Sequence, residues 1–64
     1  MTGEELQEML SEALAILDEI SHEVYRKPDF FRSQRAVSKT IGAIIDISMA
    51  LDDDLNYAMR KALK

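Results

Sequence analysis

Residues 37–51, VSKTIGAIIDISMAL, decide the fold. In a heptad frame, the core a and d positions of this segment are Val37, Ile41, Ile44, Ser48 and Leu51. Five of the seven helical columns are apolar or small, and only the column that holds Lys39 and Asp46 is charged. A helix that lines one side of a small core needs an apolar stripe of roughly 100°. This helix should therefore be covered on most of its sides, which indicates self-assembly or a partner.

The length and the absence of cysteine point the same way. The chain has 64 residues, so it forms a single domain, 1–64, of a size that buries only about 60% of its unfolded surface. Small domains are usually reinforced by disulfides, metals or oligomerisation. The chain has no cysteine and one histidine, which leaves oligomerisation as the available device.

Composition indicates a helical protein. The chain is 47% hydrophobic and 31% charged, too apolar for a disordered segment, and is rich in Leu, Ala, Ile, Glu and Lys. Glu4 and Glu5 stand where a secretory signal needs basic residues, and no uncharged apolar run approaches the ~20 residues that cross a bilayer. We therefore expect a cytoplasmic protein without a membrane partner.

The first predicted helix runs from about Gly3 to Arg26. Thr2 and Glu5 have the spacing of a capping box, which closes the amino-terminal end of a helix. An apolar stripe with alternating spacings of 4 and 3 follows, made of Leu6, Leu10, Ala13, Leu17, Ile20 and Val24. This periodicity predicts an amphipathic helix with one face in water.

Pro28 ends the first helix, because proline lacks an amide hydrogen and disfavours helical geometry at the residue before it. A short connection makes the two helices antiparallel neighbours. We expect Asp29 or Ser33 to cap the second helix and Phe30 to plug the bundle at the turn.

The carboxyl-terminal end of the second helix is ambiguous in the sequence. The a/d stripe continues through Leu55, which favours one helix, continuous or kinked near residues 52–54. Asp52-Asp53-Asp54 also has the character of a helix start, and Arg60, Lys61 and Lys64 that of a helix end, so a third helix is the alternative. In a single long helix, the first helix reaches only to about residue 54. Four apolar residues then overhang without an intrachain partner: Leu55, Met59, Ala62 and Leu63.

The fold predicted is all-α: an antiparallel helical hairpin with a long second helix, assembling into a homo-oligomeric bundle, most simply a dimer. The predicted oligomer core comprises Val37, Ile41, Ile44, Ile45, Ile47, Leu51, Leu55 and Met59. Gly42, in the middle of a helix, costs about 1 kcal/mol relative to alanine. Either close helix–helix approach or a ligand or partner backbone in a groove would explain it.

The strongest functional signal is a cluster of cations around the turn. Five cations opposed only by Asp29 fall within residues 26–39, whereas the rest of the chain has eleven acidic and three basic residues. Cations beside aromatic side chains suit phosphate contact and base stacking. The candidate contacts to an anion or partner are Arg26, Lys27, Phe31, Arg32, Arg35 and Lys39.

Other constellations favour plain explanations. Glu19 and His22 have the spacing of a di-iron ligand pair, but they fall on the water-facing columns of the first helix. The run Asp52-Asp53-Asp54 could bind a cation, but charge runs are usually solvated surface. There is no phosphate-binding glycine loop and no nucleophile–base pair, so we expect neither an enzyme nor a cofactor or metal.

No motif places the chain in a family, but its predicted architecture resembles that of small plasmid and phage regulators of the Rop type. The likeness is one of architecture and transfers no functional residue. The function predicted is a small non-catalytic interaction module that acts as a homo-oligomer and regulates or inhibits another macromolecule, in the manner of a phage or plasmid accessory protein. The alternative is a protein that binds nucleic acid or a nucleotide through its basic, aromatic-flanked turn.

Overall fold

The computed structural model describes residues 1–63 and consists of two helices, α1 (Gly3–Tyr25) and α2 (Phe31–Ala62). The helices pack against each other in an antiparallel hairpin, which confirms the all-helical hairpin predicted from the sequence. Lys64, predicted as part of a basic helix end, lies outside the described residues.

The start of α1 is the predicted capping box. The Thr2 hydroxyl accepts a hydrogen bond from the Glu5 backbone N–H at 3.1 Å, and the Glu5 carboxylate accepts one from the Thr2 backbone N–H at 3.4 Å. Glu4 and Glu5 also place negative charge on the positive end of the helix dipole. The helix begins and ends within a residue of the predicted bounds.

The turn is a proline turn closed by backbone and by one glutamine. The Phe30 N–H donates to the Lys27 carbonyl at 3.3 Å, with Pro28 in the second position that its fixed φ favours. The Gln34 side-chain amide reaches back across the turn. It donates to the Lys27 carbonyl at 2.9 Å and to the Val24 carbonyl at 3.3 Å, so each of these oxygens accepts a side-chain hydrogen bond in addition to one from a backbone N–H.

The predicted cap of α2 was wrong. The N-cap is Phe30, which makes no side-chain capping bond, so neither Asp29 nor Ser33 caps the helix. The turn ends one residue after Asp29, and Gln34 ties the connection instead. Phe30 is not a plug within the hairpin either, because half of its surface stays exposed.

α2 passes through Asp52-Asp53-Asp54 without a break and continues to Ala62, so the described chain has no third helix. The predicted overhang begins later than expected. Leu55 is half-buried and lies over Gly3, where a Cβ atom would overlap its side chain. The absence of a side chain at Gly3 lets α1 contact α2 as far as Leu55. Beyond it, Met59 and Leu63 are strongly exposed.

The contact line on α2 follows the predicted heptad stripe. Its half-buried residues alternate at spacings of 3 and 4 and are Gln34, Val37, Ile41, Ile44, Ser48, Leu51 and Leu55. On α1 the contact is rotated from the prediction: Leu14 and Ser21 are half-buried, whereas Leu6 and Ile20 stay exposed. The apolar stripe of α1 is wider than one neighbouring helix can cover, and α2 sits toward one of its edges.

No residue that the structure describes is buried. The chain has an accessible surface of 5517 Å², whereas a compact monomer of 7.3 kDa has roughly 4,200 Å². Its radius of gyration is 15.6 Å against about 11 Å for a compact domain of this length, and the hairpin is 55 Å long and 16 Å wide. The hairpin is one layer of paired helices whose apolar side chains are only partly covered.

We expect Gln34→Ala to lower the free energy of unfolding by about 1–2 kcal/mol, because two hydrogen bonds that tie the turn are lost. Ser33→Ala is the matched control, since Ser33 is exposed, and should change stability by less than about 0.5 kcal/mol. Urea denaturation followed by circular dichroism measures both. Equal effects of the two substitutions would show that the Gln34 bonds do not stabilise the turn.

Candidate functional site

Four of the five cations of the basic turn are gathered at one end of the hairpin. We define the basic turn by Arg26, Lys27, Arg32, Arg35 and Lys39, all of which are exposed. Arg26 and Lys27 follow the end of α1, Arg32 and Arg35 lie in the first turns of α2, and Lys39 lies about two turns into α2. Arg26 pairs with Glu23 at 3.6 Å, a solvent-exposed contact that contributes little stability. The turn therefore presents a concentrated positive charge to solvent.

The aromatic residues at this end differ in their roles. Phe31 is 71% exposed and Phe30 is half exposed, so both rings are available for contact. The Tyr25 hydroxyl instead contacts the Ser38 hydroxyl and donates to the Gln34 carbonyl at 3.3 Å. Tyr25 joins the two helices and is part of the scaffold, which leaves Phe30 and Phe31 beside the cations.

Two cross-helix bonds mark one face of the hairpin. Tyr25 contacts Ser38 near the turn, and the Gln7 side chain donates to Asp52 at 2.7 Å near the open end. We call this side the bridged face. Successive residues of a helix advance by about 100° around its axis. The residue numbers therefore identify the side of each helix that lies opposite the bridged face. These opposite sides together form a second surface, the open apolar face: Met9, Ile16, Ile20, Ala43, Ile47 and Ala50.

The open apolar face has no cross-helix polar contact among the described residues. Ile16 is 59% exposed and Ile47 is 52% exposed. Since the two helices pair edge to edge, side chains from both contribute to one continuous apolar surface. Exposed apolar side chains that two helices share in this way are typical of an interaction site.

A second exposed stripe lies on α2, on the bridged side and facing away from α1. Its members follow helical spacings of 3 and 4 and are Gly42, Ile45 and Met49, which we call the outer stripe. A Cβ atom at Gly42 would meet nothing within 4 Å. Close packing within the hairpin therefore does not require this glycine.

A shallow groove lies at the open end of the hairpin, where α2 extends past the start of α1. It has a volume of about 770 Å³ and its lining includes Gly3, Glu4, Asp52, Leu55, Ala58 and Met59. Its lining combines apolar side chains with one acidic side chain from each helix, Glu4 and Asp52. We call it the open-end groove.

The remaining polar clusters have ordinary surroundings. His22 lies 3.5 Å from Asp18, not from Glu19, and both side chains of this pair are largely exposed. Within residues 1–63, no three His, Asp or Glu side chains come together as a metal site requires. None of the helical segments described is both long and apolar enough to cross a membrane.

No protein-family model, curated protein sequence or solved structure matches this chain.

The predicted oligomer-core residues divide into two groups. Val37, Ile41, Ile44, Leu51 and Leu55 are half-buried against α1 within the chain, whereas Ile45, Ile47 and Met59 are exposed. Sequence reasoning missed the turn-closing role of Gln34. The sequence did contain a signal for this role, because Gln34 is a polar residue at an a position of a mostly apolar stripe.

We expect Gly42→Ala to raise the free energy of unfolding by about 0.5–1 kcal/mol, because alanine favours the helix and its methyl group meets open space. Lys39→Gly, on the same outward side of α2, is the reciprocal control and should lower stability by a similar amount. Denaturant titration measures both. A loss of stability in Gly42→Ala would place this glycine in a close contact between chains.

Proposed function

We propose that this protein is a small non-catalytic interaction module that acts as a homodimer of helical hairpins and regulates or inhibits another macromolecule. One observation carries the proposal: no described residue is buried, although both helices contribute apolar side chains to a shared exposed surface. A second layer of helices packed on this surface would bury most of the apolar side chains that the hairpin alone leaves exposed.

The surface areas support a dimer. The hairpin exposes roughly 1,300 Å² more than a compact monomer of its mass. A standard protein interface removes about 800 Å² from each partner. One further copy packed on the open apolar face would therefore cover more than half of the excess.

The two exposed surfaces suggest a division of roles. In the proposed dimer the open apolar face meets the second copy, and the outer stripe remains on the outside for another protein. Ile45 and Met49 supply apolar contacts there, and Gly42 allows a partner backbone to approach closely. Helix-in-groove recognition uses the same combination of spaced apolar anchors.

Binding is favoured over catalysis by the setting of the charged groups. The charged side chains described are all exposed, whereas catalytic groups usually lie in a cleft that excludes water. A cytoplasmic location, expected from the sequence, belongs to this proposal.

Sedimentation equilibrium at micromolar concentration should give the mass of a dimer. Ile47→Glu should yield the monomer mass and lower helical content, because the substitution places a charge in the proposed interface. Met49→Glu is the matched control: Met49 is 63% exposed against 52% for Ile47, and this variant should stay dimeric. A folded monomer in the unmodified protein would contradict the proposal.

The partner can be sought by affinity capture from the source cell with mass spectrometry. A protein retained by the unmodified chain and lost with the dimeric Met49→Glu variant would support the outer stripe as its binding site. Equal retention by both proteins would contradict that assignment.

The alternative function is binding of nucleic acid or a nucleotide by the basic turn, which the exposure of Phe31 beside five cations favours. Titration of labelled single- and double-stranded oligonucleotides and of nucleotides tests it. Affinity that falls steeply with salt, and that is lost in Arg32→Glu/Arg35→Glu, would support this function. No binding at low salt would exclude it.

A further inference from the structure

The two ends of the hairpin carry opposite charge. The turn end has the five cations of the basic turn, opposed by Asp29 and by Glu23, which pairs with Arg26 at 3.6 Å. At the open end, six acidic side chains come from the start of α1 and from the last third of α2: Glu4, Glu5, Glu8, Asp52, Asp53 and Asp54. They outnumber the two cations described in the last turn of α2, Arg60 and Lys61. The Gln7–Asp52 bond and the packing of Leu55 on Gly3 hold these two acidic segments side by side.

The two ends are also complementary in apolar shape. The turn projects Phe30 and Phe31, whose rings are 50% and 71% exposed. The open-end groove is lined in part by the apolar side chains of Leu55 and Met59. The aromatic projection thus stands beside positive charge, and the apolar cleft stands beside negative charge.

The lengths of the elements allow the two ends to meet. α1 begins opposite about Leu55, and α2 continues to Ala62, a further seven residues or about 10 Å at 1.5 Å per residue. At the other end, the connection of residues 26–30 projects past the paired helices. When two hairpins are laid side by side in opposite directions, the turn of each therefore falls beside the exposed last turns of α2 in the other.

We propose that the second copy packs antiparallel on the open apolar face. Its Phe30–Phe31 turn then lies at the open-end groove, and its arginines lie against the two acidic segments, residues 4–8 and 52–54. This inference rests on the homodimer proposed above and adds the orientation and the occupant of the groove. Twofold symmetry produces the contact twice, once at each end of the dimer.

The parallel arrangement is electrostatically unfavourable. It would place two basic turns together at one end and two sets of six acidic residues together at the other, and like charges in apposition cost free energy. The antiparallel arrangement pairs opposite charges and covers the aromatic rings. It also neutralises much of the positive potential that the alternative, anion-binding function would use.

Distances between spin labels test the orientation directly. The chain has no native cysteine, so Asp29→Cys provides a single labelling site at the turn. Pulsed dipolar spectroscopy of the labelled dimer should give a distance close to the 55 Å length of the hairpin. A sample that mixes this label with one at Tyr57→Cys, near the open end, should add a short distance.

The outcomes separate the inference from the proposed function. A short distance between two Asp29→Cys labels would overturn the antiparallel orientation and leave the dimer intact. An absence of any dipolar signal, together with a monomer mass in sedimentation, would overturn the dimer itself. A long distance in the Asp29→Cys sample, with an added short distance in the mixture, supports the inference.

A charge exchange tests the seating of the turn. Arg32→Glu and Glu4→Arg should each weaken dimerisation by about tenfold or more, because each puts like charges in contact at both ends. The double variant, with the charges exchanged, should recover affinity to within about threefold of the unmodified chain. Additive losses in the double variant would contradict the contact. Met49→Glu, on the outer stripe, is the control and should leave dimerisation unchanged.

Discussion

Two helices touch along one line, and this geometric constraint governs the whole structure. Each helix can turn only one stripe of side chains toward its neighbour, so every contact residue keeps part of its surface in water. The hydrophobic contribution to stability grows with the apolar area removed from water, at about 25 cal/mol per Å². A single layer of two helices leaves much of that contribution unrealised, although its turn, cap and register are all well defined.

The local features determine where the helices start, how they are connected and how they are aligned, but they do not bury the apolar side chains. The capping box starts α1, the proline turn and Gln34 close the connection, and the Gln7–Asp52 and Tyr25–Ser38 contacts align the helices along one face. Polar contacts on one face and apolar side chains on the other give the hairpin two distinct sides. This asymmetry is the reason to assign self-association to the open apolar face and a different partner to the outer stripe.

Much of the hairpin could be predicted from periodicity and from the terminal residues. The heptad stripe identified the contact line of α2 residue by residue, and Thr2 with Glu5 identified the start of α1. The predictions of individual contacts failed where the contacts depend on how the two helices pack against each other. Leu55 gains a neighbour because Gly3 lacks a side chain, and the contact on α1 is rotated because its apolar stripe is wider than one helix. The cation cluster was visible in sequence, whereas the groove at the opposite end requires the fold.

If the second layer of helices comes from another copy, folding and association are coupled, and stability must depend on protein concentration. The most direct measurement is the thermal unfolding midpoint by circular dichroism across a hundredfold range of concentration. An unfolding enthalpy of about 0.7 kcal/mol per residue predicts a rise of roughly 5 °C for each tenfold increase in a dimer of this size. A midpoint that stays constant across the range, with full helicity at the lowest concentration, would contradict the coupling and show that the hairpin is stable alone.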